Sequence, residues 1–261
     1  MHGLRGVSHY RSVFLSDIHL GTRGCKADLL IDFLKHTECR YLYLVGDIVD
    51  GWRLRRNWYW PEAHNEVVQL ILEKARNGTR VVYVPGNHDE MLRGYFGISL
   101  GGILVRENPI HQTEDGRRML IMHGDEFDAV VKYAKWLAVL GDHAYRFALV
   151  LNHYYNEIRR LLGYPYWSLS AWLKHRVKNA VDYIGRFEEA VAQEAARREV
   201  DGVICGHIHT AEVRMIGDVL YCNDGDWVES CTALVEQPGG KLEIVRWAEI
   251  DHRQMARSLA A

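Results

Sequence analysis

With 261 residues, 48% of them apolar and 25% charged, the chain suits one large α/β domain or two small ones, and its core needs no disulfide or zinc staple. A formal net charge of −2 leaves no basic excess for a general nucleic-acid binder, so no nucleic-acid partner is expected. Cys25, Cys39, Cys205, Cys222 and Cys231 are odd in number and never spaced C-x-x-C, no apolar run reaches the roughly 18 residues of a membrane span, and Met1–Ser12 lacks a signal-peptide core, which makes the reducing cytoplasm the expected address.

Ser12–Ser16 reads as a first strand, and Asp17-Ile18-His19 follows at its exit. Alternate residues share a face, so Asp17 and His19 point the same way, a carboxylate and an imidazole able to grip a divalent metal. Ala27–His36 has a helical apolar pattern in Leu29, Leu30, Phe33 and Leu34. Arg40–Val45 is a short apolar run closed by Gly46, the pattern of a strand buried on both faces. Asp47 stands at its carboxyl end, where open α/β sheets collect their chemistry, and Asp50 follows one turn later. Taken alone, such a Gly-Asp is a turn and a helix cap.

In the loop that follows, Trp52, Trp58, Tyr59 and Trp60 interleave with Arg53, Arg55 and Arg56. Either it packs its aromatics on the domain with solvated arginines, or it walls a site with stacking surface and anion contacts. Glu62–Asn77 is predicted as a helix stopped by Asn77-Gly78. Arg80–Val84 is a second buried strand, ending in Asn87-His88-Asp89; Arg118–Met122 is a third, ending in His123-Gly124-Asp125. Asp201–Cys205 is a fourth, ending in Gly206-His207-Ile208-His209. One such ending is a turn; five of them make a site.

Between His123 and His207 lies a long helical insertion, about residues 126–200, dense in aromatics. From Ala129 to Phe187 it carries nine basic residues against three acidic ones. It is either a packed hairpin with a solvated basic face or a cap over the site. A cap would receive an anionic, partly apolar substrate or touch an anionic membrane surface. Beyond His209 the pattern is β-rich, with strands expected at 213–216, 219–223, 231–235 and 242–247 forming a second sheet, and a polar tail from Asp251 to Ala261.

Asp17, His19, Asp47, Asn87, His123, His207 and His209 offer oxygen and nitrogen ligands without a thiolate. That donor set suits Mn²⁺, Fe or Zn²⁺ better than Ca²⁺, with Mn²⁺ expected first, and it suffices for two ions sharing a carboxylate. The ordered series D-x-H, G-D-x-x-D, G-N-H-D, H-G-D and G-H-x-H, from Asp17 to His209, resembles the calcineurin-like metallophosphoesterase family. The resemblance implies a single α/β domain over residues 1–261, with two packed mixed β-sheets flanked by helices and 126–200 as a helical cap insertion. It implies Asp17, His19 and His209 on one metal and Asn87, His123 and His207 on the other, with Asp47 bridging. It also implies His88 contacting the substrate phosphate or protonating the leaving oxygen, and Asp50 orienting its ring.

Within that family the chain resembles the UDP-2,3-diacylglucosamine pyrophosphatase group of the lipid A pathway, on GDIVDGW, on the helical insertion and on Asn223-Asp224-Gly225-Asp226-Trp227. The best-known members of that group have arginine where this chain has His88 and glutamate where it has Asp50, which marks a divergent branch. The implied reaction cleaves a nucleotide-linked glycolipid, UDP-2,3-diacylglucosamine, to lipid X and UMP at the inner-membrane surface. Trp52, Arg53, Arg55, Arg56, Asp226 and Trp227 are the expected substrate contacts. The alternatives are a phosphodiesterase or phosphomonoesterase for a soluble nucleotide, and a scaffold that has lost catalysis. A scaffold should lack ligands, whereas here all seven positions are filled.

Overall fold

A computed structural model describes residues 6–127 and 184–250. The chain divides into two compact units, Met1–Asp125 with Ala192–Ala261, and Glu126–Val191. Residues 184–197 are helical. Most of the expected cap, and the whole of the expected tail after Ile250, fall outside the described residues. Both β-sheets belong to the first unit.

Seven strands form one sheet in the order β12-β11-β1-β2-β3-β5-β4. They are β12 (Leu242–Arg246), β11 (Thr232–Glu236), β1 (Ser8–Leu15), β2 (Thr37–Val45), β3 (Arg80–Val84), β5 (Ile103–Val105) and β4 (Ser99–Leu100). Five strands form the other, β6-β7-β8-β10-β9: β6 (Ile110–Gln112), β7 (Arg118–Ile121), β8 (Gly202–Cys205), β10 (Val219–Asn223) and β9 (Glu212–Ile216). Both are mixed: β1, β2, β3 and β5 run parallel, as do β7, β8 and β10, while β11, β12, β4, β6 and β9 pair antiparallel. Helices α1 (Ala27–Lys35), α2 (Gly51–Arg56) and α3 (Glu62–Arg76) complete the α/β arrangement.

The strand period of two sorts the core into two layers. Val13, Leu15, Leu42, Leu44, Val81 and Tyr83 pack with Leu30, Phe33 and Leu34 of α1 and Val67 and Ile71 of α3. Their neighbours Phe14, Tyr43, Val45, Val82 and Val84 meet Met119, Ile121, Ile204 and Cys222 of the other sheet. Burial on both faces is why these strands read as continuous apolar runs.

Three expectations change. β1 and β2 begin at Ser8 and Thr37, earlier than the apolar runs suggest, because the parallel ladder continues through Ser8↔Thr37 and His9↔Glu38 without an apolar face to mark it. The C-terminal strands do not make a sheet of their own: β9 and β10 extend the five-stranded sheet, and β11 and β12 extend the seven-stranded one against β1. The Trp/Arg loop begins as a helix, α2, capped by the Asp50 carboxylate accepting from Arg53 N at 2.8 Å.

Candidate metal centre

β1, β2 and β3 are neighbours in one sheet, and β7 and β8 are neighbours in the other. Their carboxyl ends deliver Asp17, Asp47, Asn87, His123 and His207 in turn. Past the strand ends the first two loops stay zipped together: Asp17 N donates to Gly46 O at 3.1 Å, His19 N to Asp47 O at 2.9 Å, and Leu20 N to Ile48 O at 2.9 Å. The backbone there is unusual. Asp17, His19, Asp47, His207 and His209 have φ of 50°, 54°, 54°, 70° and 53°. They are five of the eight non-glycine residues with positive φ among the described residues, so the strain concentrates on these positions. Left-handed backbone at such residues costs roughly 1–3 kcal/mol each and persists only where surrounding structure enforces it. Gly86 leaves room for the packing, since a Cβ there would collide with Asp47 Oδ1 and stand 2.7 Å from Asp47 N and from His123 Cδ2.

Three groups of side chains converge with ligand atoms all within 4.8 Å of one another: Asp17, His19 and His209; Asp47, His123 and His207; and His19, Asp47 and His88. Asp17 Oδ1 lies 3.1 Å from His209 Nε2 and 3.8 Å from His19 Nε2. Asp47 Oδ2 lies 3.4 Å from His123 Nε2 and 3.9 Å from the Nε2 of both His19 and His88. The opposite carboxylate oxygens are held from behind: Asp17 Oδ2 accepts from Ser16 Oγ at 2.5 Å and His207 N at 2.8 Å, and Asp47 Oδ1 accepts from His88 N at 2.8 Å. His123 Nδ1 lies 2.8 Å from Val45 O, a partner that can only accept, so this nitrogen carries a proton and Nε2 is the ring nitrogen turned to Asp47.

Asp17 Oδ1, Asn87 Oδ1 and His123 Nε2 are buried and have no hydrogen-bond partner. Buried polar atoms left unpaired cost free energy. Asp17 and His123 belong to the converging groups of carboxylates and imidazoles, Asn87 lies at the neighbouring exit of β3, and the donor chemistry of all three fits divalent cations. Electrostatics agrees. Burial pushes the Asp47 and Asp17 carboxyls up, but the neighbouring imidazoles outweigh it and hold both below the usual range. Burial likewise works against charged His123 and His209, yet the carboxylates raise both. The site is built to compensate charge, and cations at its centre would take over the role that imidazole protons play without them.

His88 stands beside this centre with Nδ1 3.0 Å from Asp50 Oδ1, while Asp50 Oδ2 lies 3.5 Å from His19 Nδ1. One carboxylate therefore serves two rings. Against the penalty of burial, Asp50 and Asp47 together raise the His88 pKa.

Trp52, Arg53, Arg55 and Arg56 are exposed on α2, next to this edge. Asp226 and Trp227 require a correction as substrate contacts, because both are buried. Trp227 is 0% exposed and packs on Phe33 with ring centroids 5.3 Å apart, so no face of the indole is open to a diffusing ligand. Its backbone N–H holds Asp17 O at 3.1 Å. The Asp226 carboxylate accepts from Val228 N at 2.8 Å and from Ser230 Oγ at 2.5 Å, folding the turn after it. Both support the site from beneath.

Asp89 is a supporting residue that the motif pattern leaves without a role. Its carboxylate accepts from Gly86 N at 2.6 Å, Ile48 N at 2.8 Å and Tyr83 Oη at 2.5 Å, tying the Asp47 loop to the Asn87 loop. The one signal for it in the chain is an acid directly after Asn87-His88 at the end of a buried strand.

A family model described as calcineurin-like phosphoesterase matches residues 10–211. A UDP-2,3-diacylglucosamine hydrolase of Blochmanniella pennsylvanica is 28% identical over 118 residues, 43% of this chain and 46% of the relative. The matched stretch thus spans about half of that relative's length. One of Photorhabdus laumondii is 25% identical over 208 residues, 76% of this chain and 81% of the relative. Among solved structures, the vacuolar protein sorting 29 protein of Cryptosporidium parvum aligns over 90% of this chain and 94% of its own, at 13% identity and a TM-score of 0.40.

Proposed function

The chain belongs to the calcineurin-like phosphoesterase family, and from that premise we propose that it is a dinuclear-metal phosphohydrolase that cleaves UDP-2,3-diacylglucosamine to lipid X and UMP. The observation that carries the hydrolytic reading is the convergence of Asp17, His19, Asp47, His123, His207 and His209, with Asp17 Oδ1, Asn87 Oδ1 and His123 Nε2 buried and unpartnered. Asp17, His19 and His209 would hold one divalent cation and Asn87, His123 and His207 the other, with Asp47 shared. Cations so held supply positive charge to the phosphoryl oxygens and acidify an attacking water. Mn²⁺ is the proposed occupant.

Phosphoryl transfer asks a protein mainly for positioning and charge neutralisation. His88 supplies both. Its Nδ1 is engaged by Asp50, which leaves Nε2, 3.9 Å from Asp47 Oδ2, to donate to a phosphoryl or leaving oxygen at the centre. Arg53, Arg55 and Arg56, exposed on α2 just past Asp50, are the proposed contacts for the second phosphate, and the exposed Trp52 borders the same edge.

The lipid substrate is supported by the names of the relatives and by the basic, aromatic composition of residues 126–200, proposed as a cap. Such a substrate places the enzyme at the cytoplasmic surface of the inner membrane as a peripheral protein. Among the described residues no helix is long and apolar enough to cross a membrane.

The test compares hydrolysis of UDP-2,3-diacylglucosamine and UDP-N-acetylglucosamine with Mn²⁺ present and detergent matched. Burying acyl methylenes is worth roughly 0.8 kcal/mol each, so UMP should be released from the lipid form alone. Equal rates on both, or cleavage of neither beside brisk turnover of a simple aryl phosphodiester, would move the enzyme to soluble esters.

A further inference from the structure

Three consecutive residues at the start of α2 each touch His88 in a different way. The Asp50 carboxylate meets Nδ1 at 3.0 Å. Gly51 N donates to His88 O at 3.0 Å, an approach a side chain would obstruct, since a Cβ on Gly51 would lie 2.9 Å from that oxygen. The Trp52 indole lies over the imidazole with ring centroids 4.3 Å apart and planes inclined by 36°. His19 closes the ring from another direction, edge-on at 4.7 Å and 89°. The indole is itself anchored outside, with Nε1 3.4 Å from Glu90 Oε1.

We propose that Asp50-Gly51-Trp52 is a single clamp on His88, in which Trp52 is the positioning residue that fixes the plane of the imidazole and aims Nε2 at the metal centre. The terminal torsion of histidine is broad, so the orientation of its ring is set by what packs against it. Asp50 engages one ring nitrogen but leaves the faces of the ring undetermined. His88 is 24% exposed at the side chain, and without the indole that face would open to water. Because the three contacts come from adjacent residues on one capped helix start, the clamp moves as a unit with α2. This inference rests on the reading that His88 acts on the phosphoryl group.

The experiment has a kinetic arm and a spectroscopic one. Diphenyl phosphate with Mn²⁺ is the kinetic probe, because phenoxide is a poor leaving group and keeps the demand for a proton. Trp52→Ala should lower kcat roughly 10- to 100-fold, the range that misplacement of a reacting group produces, with KM within about twofold and metal content unchanged. Trp52→Phe should recover kcat to within about threefold, since a second aromatic face restores the packing. In a His88→Ala background Trp52→Ala should cost less than about twofold, the mark of two residues acting through one another. The spectroscopic arm follows the ring protons of His88, assigned by their loss in His88→Ala. Under the indole they carry an upfield ring-current shift that Trp52→Ala should remove.

A raised KM at unchanged kcat would make Trp52 a substrate contact and overturn the clamp. So would an equal loss in the His88→Ala background, or His88 resonances unmoved by Trp52→Ala. If Trp52→Ala shifts the resonances while His88→Ala leaves turnover intact, the clamp stands and the catalytic reading of His88 falls instead.

Discussion

Asp47 divides its two oxygens between support and function: Oδ1 is fixed by the His88 N–H at 2.8 Å, and Oδ2 faces His19, His88 and His123. That places one carboxylate between the two halves of the proposed ligand set. Asp47→Ala should therefore abolish activity and prevent the full metal complement from binding. Metal analysis that found the folded variant still holding two ions per chain would remove Asp47 from its shared position. His88 differs in kind, because the proposed ligand set is complete without it. His88→Ala should keep the metals and slow turnover by ~10²–10⁴-fold, the usual contribution of a positioned acid or base. Asp50→Asn should give a smaller loss in the same direction, since an amide still fills the space between His88 and His19. Turnover within about threefold of wild type in His88→Ala, far below the general acid–base range, would reduce that ring to packing.

At the scale of elements, the loops carrying the ligands are braced from two sides. Asp89 ties the exits of β2 and β3, and the segment after β10 braces the exit of β1 through Trp227 N on Asp17 O. The sheets themselves are pinned by a polar cluster. Glu236 on β11 accepts from Arg11 at 2.7 Å and Ser12 at 2.5 Å, both on β1, and meets His111 of β6 in the opposite sheet at 2.8 Å. Tyr43 Oη closes the cluster on His111 Nδ1 at 3.0 Å. Burial alone would raise the Glu236 carboxyl, but His111, Ser12, the Glu114 N–H and Arg11 outweigh it and lower it from 4.5 to about 2. A carboxyl depressed in the folded state contributes stability above its unfolded value and loses it as the folded value is approached. That contribution is present above pH 4.5 and fades as pH falls toward about 2. Glu236→Gln should cost roughly 1–3 kcal/mol at neutral pH, because Arg11 loses its counter-charge. It should also flatten the decline in stability over that acid window. Urea titrations of both proteins at several pH values measure it, and parallel acid profiles would contradict the assignment.

For the whole molecule, the site sets a debt in strain and charge that the fold must carry. Five ligand positions hold left-handed backbone, and Asp17 and Asp47 are buried within one cluster. A ligand that binds only the folded state stabilises by about 2.7 kcal/mol at a hundred times its dissociation constant. For a domain of this size that corresponds to a rise in Tm of roughly 5–10 °C. Adding Mn²⁺ to chelator-stripped protein should give a shift of that order, and Asp47→Ala should show a smaller one. An unchanged Tm in the wild-type protein would mean that the cluster does not bind the ion.

The sequence by itself determined the strands that bear the ligands and the order in which they come. Each is a short apolar run buried on both faces, each runs on into Asp, Asn or His, and in all but the first a Gly stands beside that residue; local composition is enough to show that. It also determined the family, since Asp17, Asp47, Asn87, His123 and His207 keep their spacing in the one-dimensional text. Tertiary structure alone decided the rest. That β11, and β12 through it, joins the seven-stranded sheet depends on a partner at the other end of the chain, β1, and no local pattern encodes that choice. Asp226 and Trp227 look like site residues in the chain and prove to be foundations, because exposure belongs to the packed molecule and not to the segment. Asp89 and the Trp52 stack on His88 were hidden for the converse reason: a single carboxylate or indole acquires its role only when separate loops fold against it.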